Sequence, residues 1–422
     1  MRTRSRHRRA IAVIAGAVAS ALLFAGCSFG EQVDAEVPAQ TTGSFPDETV
    51  KQLTDAVTHA MGTTGSSGAI VGVWAPWSGS WVTGLGTQRP DGGGDVTKDM
   101  VFRAGKVTRA MTCDVLFQVA AEGKVKLDDS ISTYVSGVPD IADVTLLQLC
   151  DGTSGIGSYA GQLSSSWITN PARVWDPRYL ASFGLGQPRT SEPGAAYRDS
   201  DAGYVLLGLA LQRATDSTAA DLIRRYVAKP LGLEVTALGE LPSSGAFAGG
   251  QSVTDAEGAL DCAHPVDLTK ASSSSGFTDA GVVTDIDELG RYVKALATGA
   301  LVHDDDRFSA PVPVTVDGPT WYSADGGALL AGSLIGQYGK VPGYITAAFS
   351  DPGTGLTVAV VLNNSFIDGS VGEYLAWELA AIASKAPAAA GETVPEAGLP
   401  WTAEQYHEAI AVSAVCTPPA SE

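Results

Sequence analysis

Runs that read as strands stand at the two ends of this chain, and what lies between them reads mostly as helix. AIVGVWAP (69–76) and SWVTGLG (80–86) carry strand patterns joined by a short turn at Ser78-Gly79. Strand signals then return only at WYSAD (321–325), LIGQYG (334–339), YITAAFS (344–350) and LTVAVVLN (356–363). Helical patterns flank both sets, with Val50, Leu53, Val57, Ala60 and Met61 marking a helix over 47–61 and VGEYLAWELAAIAS one over 371–384. The middle, about 108–300, reads as mainly helical: MTCDVLFQVAAEG, YVLLGLALQRA, AADLIRRYVAK and DELGRYVKALA are its clearest helices. QRPDGGGD reads as a plain turn. A single α/β sheet closed by both chain ends, with a helical block inserted, is the arrangement this pattern allows. A binding cleft is expected between the two parts.

The N-terminus reads as a targeting segment. Arg2, Arg4, Arg6, Arg8 and Arg9 precede an apolar run from Ala10 to Ala25, too short for a comfortable membrane span. The run ends on LFAGC, which resembles the lipobox of bacterial lipoproteins. That resemblance implies lipidation of Cys27 after removal of residues 1–26. Residues 28–45 are polar and aperiodic, so 27–45 is expected to be a flexible tether. Residues 46–385 would form the domain and 386–422 an Ala- and Pro-rich extension with a short helix near 402–413.

The net charge is −19, and removing residues 1–26 takes away five Arg and no acid, leaving −24. Nucleic acid is not an expected partner, because phosphate neutralisation needs clustered cations. Besides Cys27 the Cys residues are Cys113, Cys150, Cys262 and Cys416, and none are at metal-ligand spacing. An exported chain with four such Cys can hold disulfides in three connectivities or keep buried thiols. Cys262–Cys416 is the better candidate pair, since both lie in loop-like stretches. Cys113 and Cys150 fall on helices expected to pack together.

Several ordered motifs over residues 47–385 resemble one family, that of class C β-lactamases, serine DD-carboxypeptidases, penicillin-binding proteins and related esterases. FRAGKVTRAMTCDVLFQVAAEGKVKLDDSISTYV (102–135) resembles its nucleophile turn, long helix and "LDD" run. VTLLQLCDGTSGI (144–156), EPGAAYRDSDAGYVLLG (192–208), PLGL (230–233), AGVVTDIDELGRYVKAL (280–296) and GQYGKVPGY (336–344) follow in the family's order. The resemblance implies a β-lactamase/transpeptidase-like fold: an antiparallel sheet flanked by helices, with an inserted mainly helical domain.

It also implies three chemical stations. Ser-x-x-Lys at a helix start supplies nucleophile and base. Tyr-x-Asn handles protons. Lys-Thr-Gly or His-x-Gly on the edge strand binds the substrate carboxylate and lends an oxyanion-hole amide. Here those stations hold Lys106 and Arg109, then Asp199 and Asp201, then Gln337. The oxyanion-hole amides would be those of Lys106 and Lys340. No Ser stands three residues before any Lys, the sequence holds no His-x-Gly, and its one Gly-x-Ser-x-Gly, Gly26–Gly30, spans the lipobox-like Cys27 and lies outside the domain. Arg stays protonated, so Arg109 cannot act as the base.

No residue is therefore assigned a catalytic role. The two cations are expected to pair with Asp199 and Asp201 across the cleft. Ser154 and Ser200 are the remaining hydroxyls near the site, with backbone capping the simpler role for each. His59, His264, His303 and His407 form no triad by spacing. Asp128-Asp129 reads as a structural turn, and Trp74, Trp77 and Trp81 as strand packing. Neither a metal nor a cofactor is expected. Three functions stay open: a surface lipoprotein binding peptidoglycan fragments or a cell-envelope protein, a divergent serine hydrolase with another nucleophile, and a structural role with the cleft plugged by ions.

Overall fold

The computed structural model describes residues 32–416 apart from 139, 256, 303 and 305. The signal-like segment, Cys27, His303 and the last six residues lie outside that set. No described helix is long and apolar enough to cross a membrane.

Helix α1 (Asp47–Thr64) leads into β1 (Gly68–Ala75), β2 (Gly79–Arg89) and β3 (Gly92–Asp95). The short β4 (Phe102–Arg103) precedes α2 (Val107–Ala121). The helical block continues with α3 (Leu146–Cys150), α4 (Ala160–Thr169), α5 (Pro177–Leu185), α6 (Asp201–Thr215) and α7 (Ala219–Ile223). It also holds strands that the sequence pattern hides: β5 (Ala237–Leu238), β6 (Gly250–Thr254), β7 (Leu260–Asp267) and, after α8 (Phe277–Ala280), β8 (Val282–Thr284). After α9 (Ile286–Ala297) come β9 (Val312–Pro313), β10 (Tyr322–Asp325), β11 (Ala328–Ala331), β12 (Leu334–Val341), β13 (Tyr344–Ser350) and β14 (Thr357–Leu362). Helices α10 (Ser370–Ala383) and α11 (Ala403–Val412) finish the described chain.

Among the described residues the main sheet has nine strands in the order β3-β2-β1-β14-β13-β12-β11-β10-β9, and β1 pairs antiparallel with β14, so strands from the two ends of the domain meet within it. Alternate residues serve two cores, as a period of two demands. Val71, Val73, Phe349, Val358 and Val360 pack with α1, α10 and α11. Ile70, Tyr344, Ala348, Ala359 and Val361 pack toward α2, α6 and α9. Trp77 is buried and donates from Nε1 to the Ala386 carbonyl at 3.3 Å, while Trp74 lies against Gly72 and Gly290, so both pack on the sheet as expected. Asp129 accepts from the Lys126 amide at 2.8 Å and the Tyr134 hydroxyl at 2.6 Å, a structural turn.

Three expectations need correction. QRPDGGGD is no plain turn: β2 runs on to Arg89, and Gly92–Gly94 form the edge strand at φ of +117, +87 and +93, which glycine alone takes without strain. AADLIRRYVAK is not one α-helix, since Arg224–Ala228 adopt π geometry. Residues 32–45 have little regular structure, yet they lie along the domain. Val33 donates to the Pro230 carbonyl at 2.8 Å, Thr41 to Pro76 at 3.0 Å, and the Gln40 amide to Ala75 at 3.1 Å and Gly79 at 3.0 Å. They form a strap instead of a free tether. Both candidate cysteine pairs, Cys113–Cys150 and Cys262–Cys416, are bonded, with Cα separations of 5.6 and 6.1 Å.

Candidate functional site

A cleft of about 260 Å³ opens between the helical block and β12, lined among others by Lys106, Tyr159, Trp167, Asp201, Asp279 and Lys340. Lys106 occupies the N-cap position of α2 without a side-chain capping bond, and Arg109 lies in the first turn, which holds no acidic residue. Both are cations at the positive end of a buried helix, an unfavourable placement unless anions answer them.

Asp199 answers both. Its Oδ2 pairs with Lys106 Nζ, and its Oδ1 lies 2.8 Å from Arg109 Nη1. Arg109 is 1% exposed, and its Nε donates to Asp279 Oδ1 at 2.7 Å. The guanidinium also sits 4.7 Å from the Tyr204 ring centroid, and its Nη2 finds no partner among the described residues. Burial would raise the Asp199 carboxyl, but Arg109 and Lys106 outweigh it and hold it well below the usual carboxylate range. At Asp279 burial wins over Arg109, and the carboxyl is pushed up to about 6, with Asp201 and Asp199 adding to the rise.

The expected pairing of Asp201 is wrong. Its carboxylate accepts from the Ser158 hydroxyl at 2.6 Å and from the Tyr159 and Ala160 amides at 2.6 and 2.9 Å. It thus satisfies orphan amides at the start of α4. Asp279 takes the place foreseen for it. Asp279 lies 170 positions from Arg109, and its local sequence, FTDA, carries no periodic or motif signal.

Gln337 does not line the cleft. It is buried, its Nε2 donates to the Gly327 carbonyl at 3.3 Å and its Oε1 accepts from the Tyr338 amide at 3.0 Å. Lys340 does line it. Its ammonium donates to the Ile367 carbonyl at 2.9 Å, and burial lowers its pKa, Lys106 adding to this and Asp368 partly opposing it. The Lys106 stem lies on Gly339: a Cβ placed there would come within 2.5 Å of Lys106 Cγ and Cδ.

The two hydroxyls singled out in the sequence are both buried. Ser154 Oγ accepts from the Ile156 amide at 3.3 Å. Ser200 caps α6, accepting from Gly203 at 3.0 Å and donating to the Gly157 carbonyl at 3.0 Å. His264 is on the exposed β7 hairpin, and His59 and His407 lie together on α1 and α11, on the other face of the sheet.

Sheet order, helical block and a cleft at the head of α2 define a β-lactamase/transpeptidase-like protein. The chain belongs to the beta-lactamase family, whose model matches residues 53–381, well over half of its length. Among curated proteins it is 26% identical over 206 residues to the D-alanyl-D-alanine-carboxypeptidase/endopeptidase AmpH of Escherichia coli (strain K12), covering 46% of this chain and 51% of that protein. To Penicillin-binding protein 4* of Bacillus subtilis (strain 168) it is 24% identical over 136 residues, 32% of this chain and 30% of that one. The chain thus spans about half or less of these relatives. In structure it is similar to a D-stereospecific amidohydrolase from Streptomyces sp., with TM-score 0.65 at 22% identity over 76% of this chain and 95% of that one. It is similar as well to an octameric penicillin-binding protein homologue from Pyrococcus abyssi, with TM-score 0.63 at 20% identity over 78% and 75%.

Proposed function

We propose that this chain is an exported lipoprotein, anchored through Cys27, whose cleft binds cell-wall peptide or a cell-envelope protein without forming an acyl-enzyme. The observation that carries this reading is the ion cluster at the head of α2. Lys106 stands where the family's resemblance places the nucleophile, its amine is tied to Asp199, and its stem covers Gly339. An ammonium held by a carboxylate is no nucleophile, and a buried Arg is no base. Removing a serine nucleophile or its base ordinarily costs several orders of magnitude in rate. The name of the E. coli relative, a D-alanyl-D-alanine-carboxypeptidase, supports wall peptide as the ligand class. The LFAGC ending, with the Arg-rich and apolar segment before it, supports an anchored, exported form.

The purified protein should stay unlabelled by fluorescent penicillin and by a fluorophosphonate, while retaining soluble wall fragments in a pull-down. Stoichiometric covalent labelling that persists in Lys106→Ala would overturn the non-acylating reading and favour a divergent hydrolase. Mass spectrometry of the mature N-terminus tests the anchor: an unmodified start elsewhere removes it.

A further inference from the structure

On the face of the sheet away from the cleft, three helices bring three titratable groups together. His59 of α1 stacks on His407 of α11, with ring centroids 3.9 Å apart and planes at 21°. His407 Nδ1 lies 2.9 Å from Glu378 Oε1 on α10. His59 Nδ1 and Glu378 Oε2 are buried and find no hydrogen-bond partner among the described residues. The rest of the α11 interface is apolar. Tyr406 and Ile410 are buried, and Trp401 packs tilted at 30° on Trp377, centroids 5.1 Å apart, and donates to its carbonyl at 3.0 Å. Beyond α11 the chain is held at Cys416 by its bond to Cys262.

We propose that His59, His407 and Glu378 are a proton-driven latch, which keeps α11 docked while the stacked imidazoles share at most one proton and releases it when both are charged. Burial raises the Glu378 carboxyl while His407 opposes this, and in its ionised form that one carboxylate balances one imidazolium. A second positive charge in a ring 3.9 Å away has no anion of its own. The other charged groups nearby do not supply one. Asp55, one turn before His59, is taken by Lys51. Glu404 and Glu408 of α11 are exposed, Lys385 faces Glu404, and Glu373 of α10, near Tyr406, is buried, held by the Tyr322 hydroxyl and raised by its burial. Burial and the neighbouring His407 both lower the His59 imidazole. A lowered His favours docking above the ordinary imidazole value near 6.5, and that contribution is lost as pH falls through its lowered value. Each proton taken up on release changes the docking equilibrium by at most about tenfold per pH unit.

Hydrogen exchange of the whole disulfide-bonded protein from pH 8 to pH 5, corrected for the intrinsic rate at each pH, tests this. Protection over 403–412 should fall between pH 7 and pH 5, by no more than about a hundredfold for one proton, while β13 and β14 keep theirs. His59→Phe keeps a stacked ring without a charge and should make α11 protection flat over this range. His407→Phe, at a half-exposed position, should do the same and serves if the first variant folds poorly. Constant α11 protection in the wild type overturns the latch. So does an equal pH dependence in either Phe variant, or loss of protection in β13 and β14 in parallel with α11.

Discussion

A single guanidinium joins two carboxylates of opposite character: Arg109 places Nη1 2.8 Å from Asp199 and Nε 2.7 Å from Asp279. Asp199 is half exposed and bound to Lys106 as well, so its charge is favoured. Asp279 is 4% exposed, and burial favours its neutral acid.

The two should therefore respond oppositely to amidation. A carboxyl raised to about 6 contributes stability below its ordinary value, and that contribution is lost as pH rises through about 6. Asp279→Asn fixes the neutral form. The stability difference between Asp279→Asn and wild type should shift in the variant's favour by up to about 3 kcal/mol between pH 4 and pH 7. Asp199 has a depressed carboxyl, so its contribution is complete above pH 4 and is lost only in stronger acid. Asp199→Asn should cost about 1–3 kcal/mol, below the range for fully buried pairs because the side chain is half exposed, and the cost should not vary from pH 5 to pH 8. Urea melts at each pH measure both. Parallel pH profiles for the two variants would refute the assignment.

Restoring the missing pair of side chains should not restore chemistry. In Lys106→Ser with Arg109→Lys, Asp199 remains where the resemblance places the Tyr oxygen, now facing one cation in place of two. The expected result is background labelling by fluorescent penicillin together with a lower melting temperature. Stoichiometric labelling of this double variant would show that the remaining cleft is competent.

The strands at both chain ends were legible because hydrophobic runs with clear boundaries survive in the sequence, and β1 and β14 do meet in the sheet. The Gly92–Gly94 strand was not, because its pairing rests on positive φ angles that a glycine run signals equally for a turn. At the cleft, Lys106, Arg109 and Asp199 were legible through ordered motifs and opposite charge. Asp201 was misread because a carboxylate that the resemblance places opposite the two cations can equally satisfy a helix start in space, as it does for α4. Asp279 was invisible, since only the fold brings α8 against α2.

Asp201 offers a direct check on that correction. Its two oxygens accept three hydrogen bonds from residues 158–160. Asn keeps one acceptor and turns an N–H toward amides that need one. Asp201→Asn should therefore destabilise by about 1–3 kcal/mol through a broken cap and an unsatisfied amide. Hydrogen exchange should localise the loss to the start of α4 and leave α2 protected. A loss centred on α2 would return Asp201 to the ion cluster.

The two disulfides should separate under reduction. Cys113 and Cys150 are fully buried, whereas Cys262 lies on a partly exposed hairpin. Thiolate attack needs access, so dithiothreitol should open Cys262–Cys416 first. That bond closes a span of 154 residues, and removing it as Cys262→Ala with Cys416→Ala should cost about 2–5 kcal/mol, because the unfolded chain regains the freedom of a long loop. Cys416 also donates its amide to the Thr63 carbonyl at the end of α1 at 3.5 Å, so the loss should fall on α1 and α11 before it reaches the cleft. Alkylation of partly reduced protein followed by peptide mass spectrometry gives the order. Modification of Cys113 or Cys150 ahead of Cys262 would mean that the helical block opens more readily than the C-terminal segment, contrary to the burial on which this prediction stands.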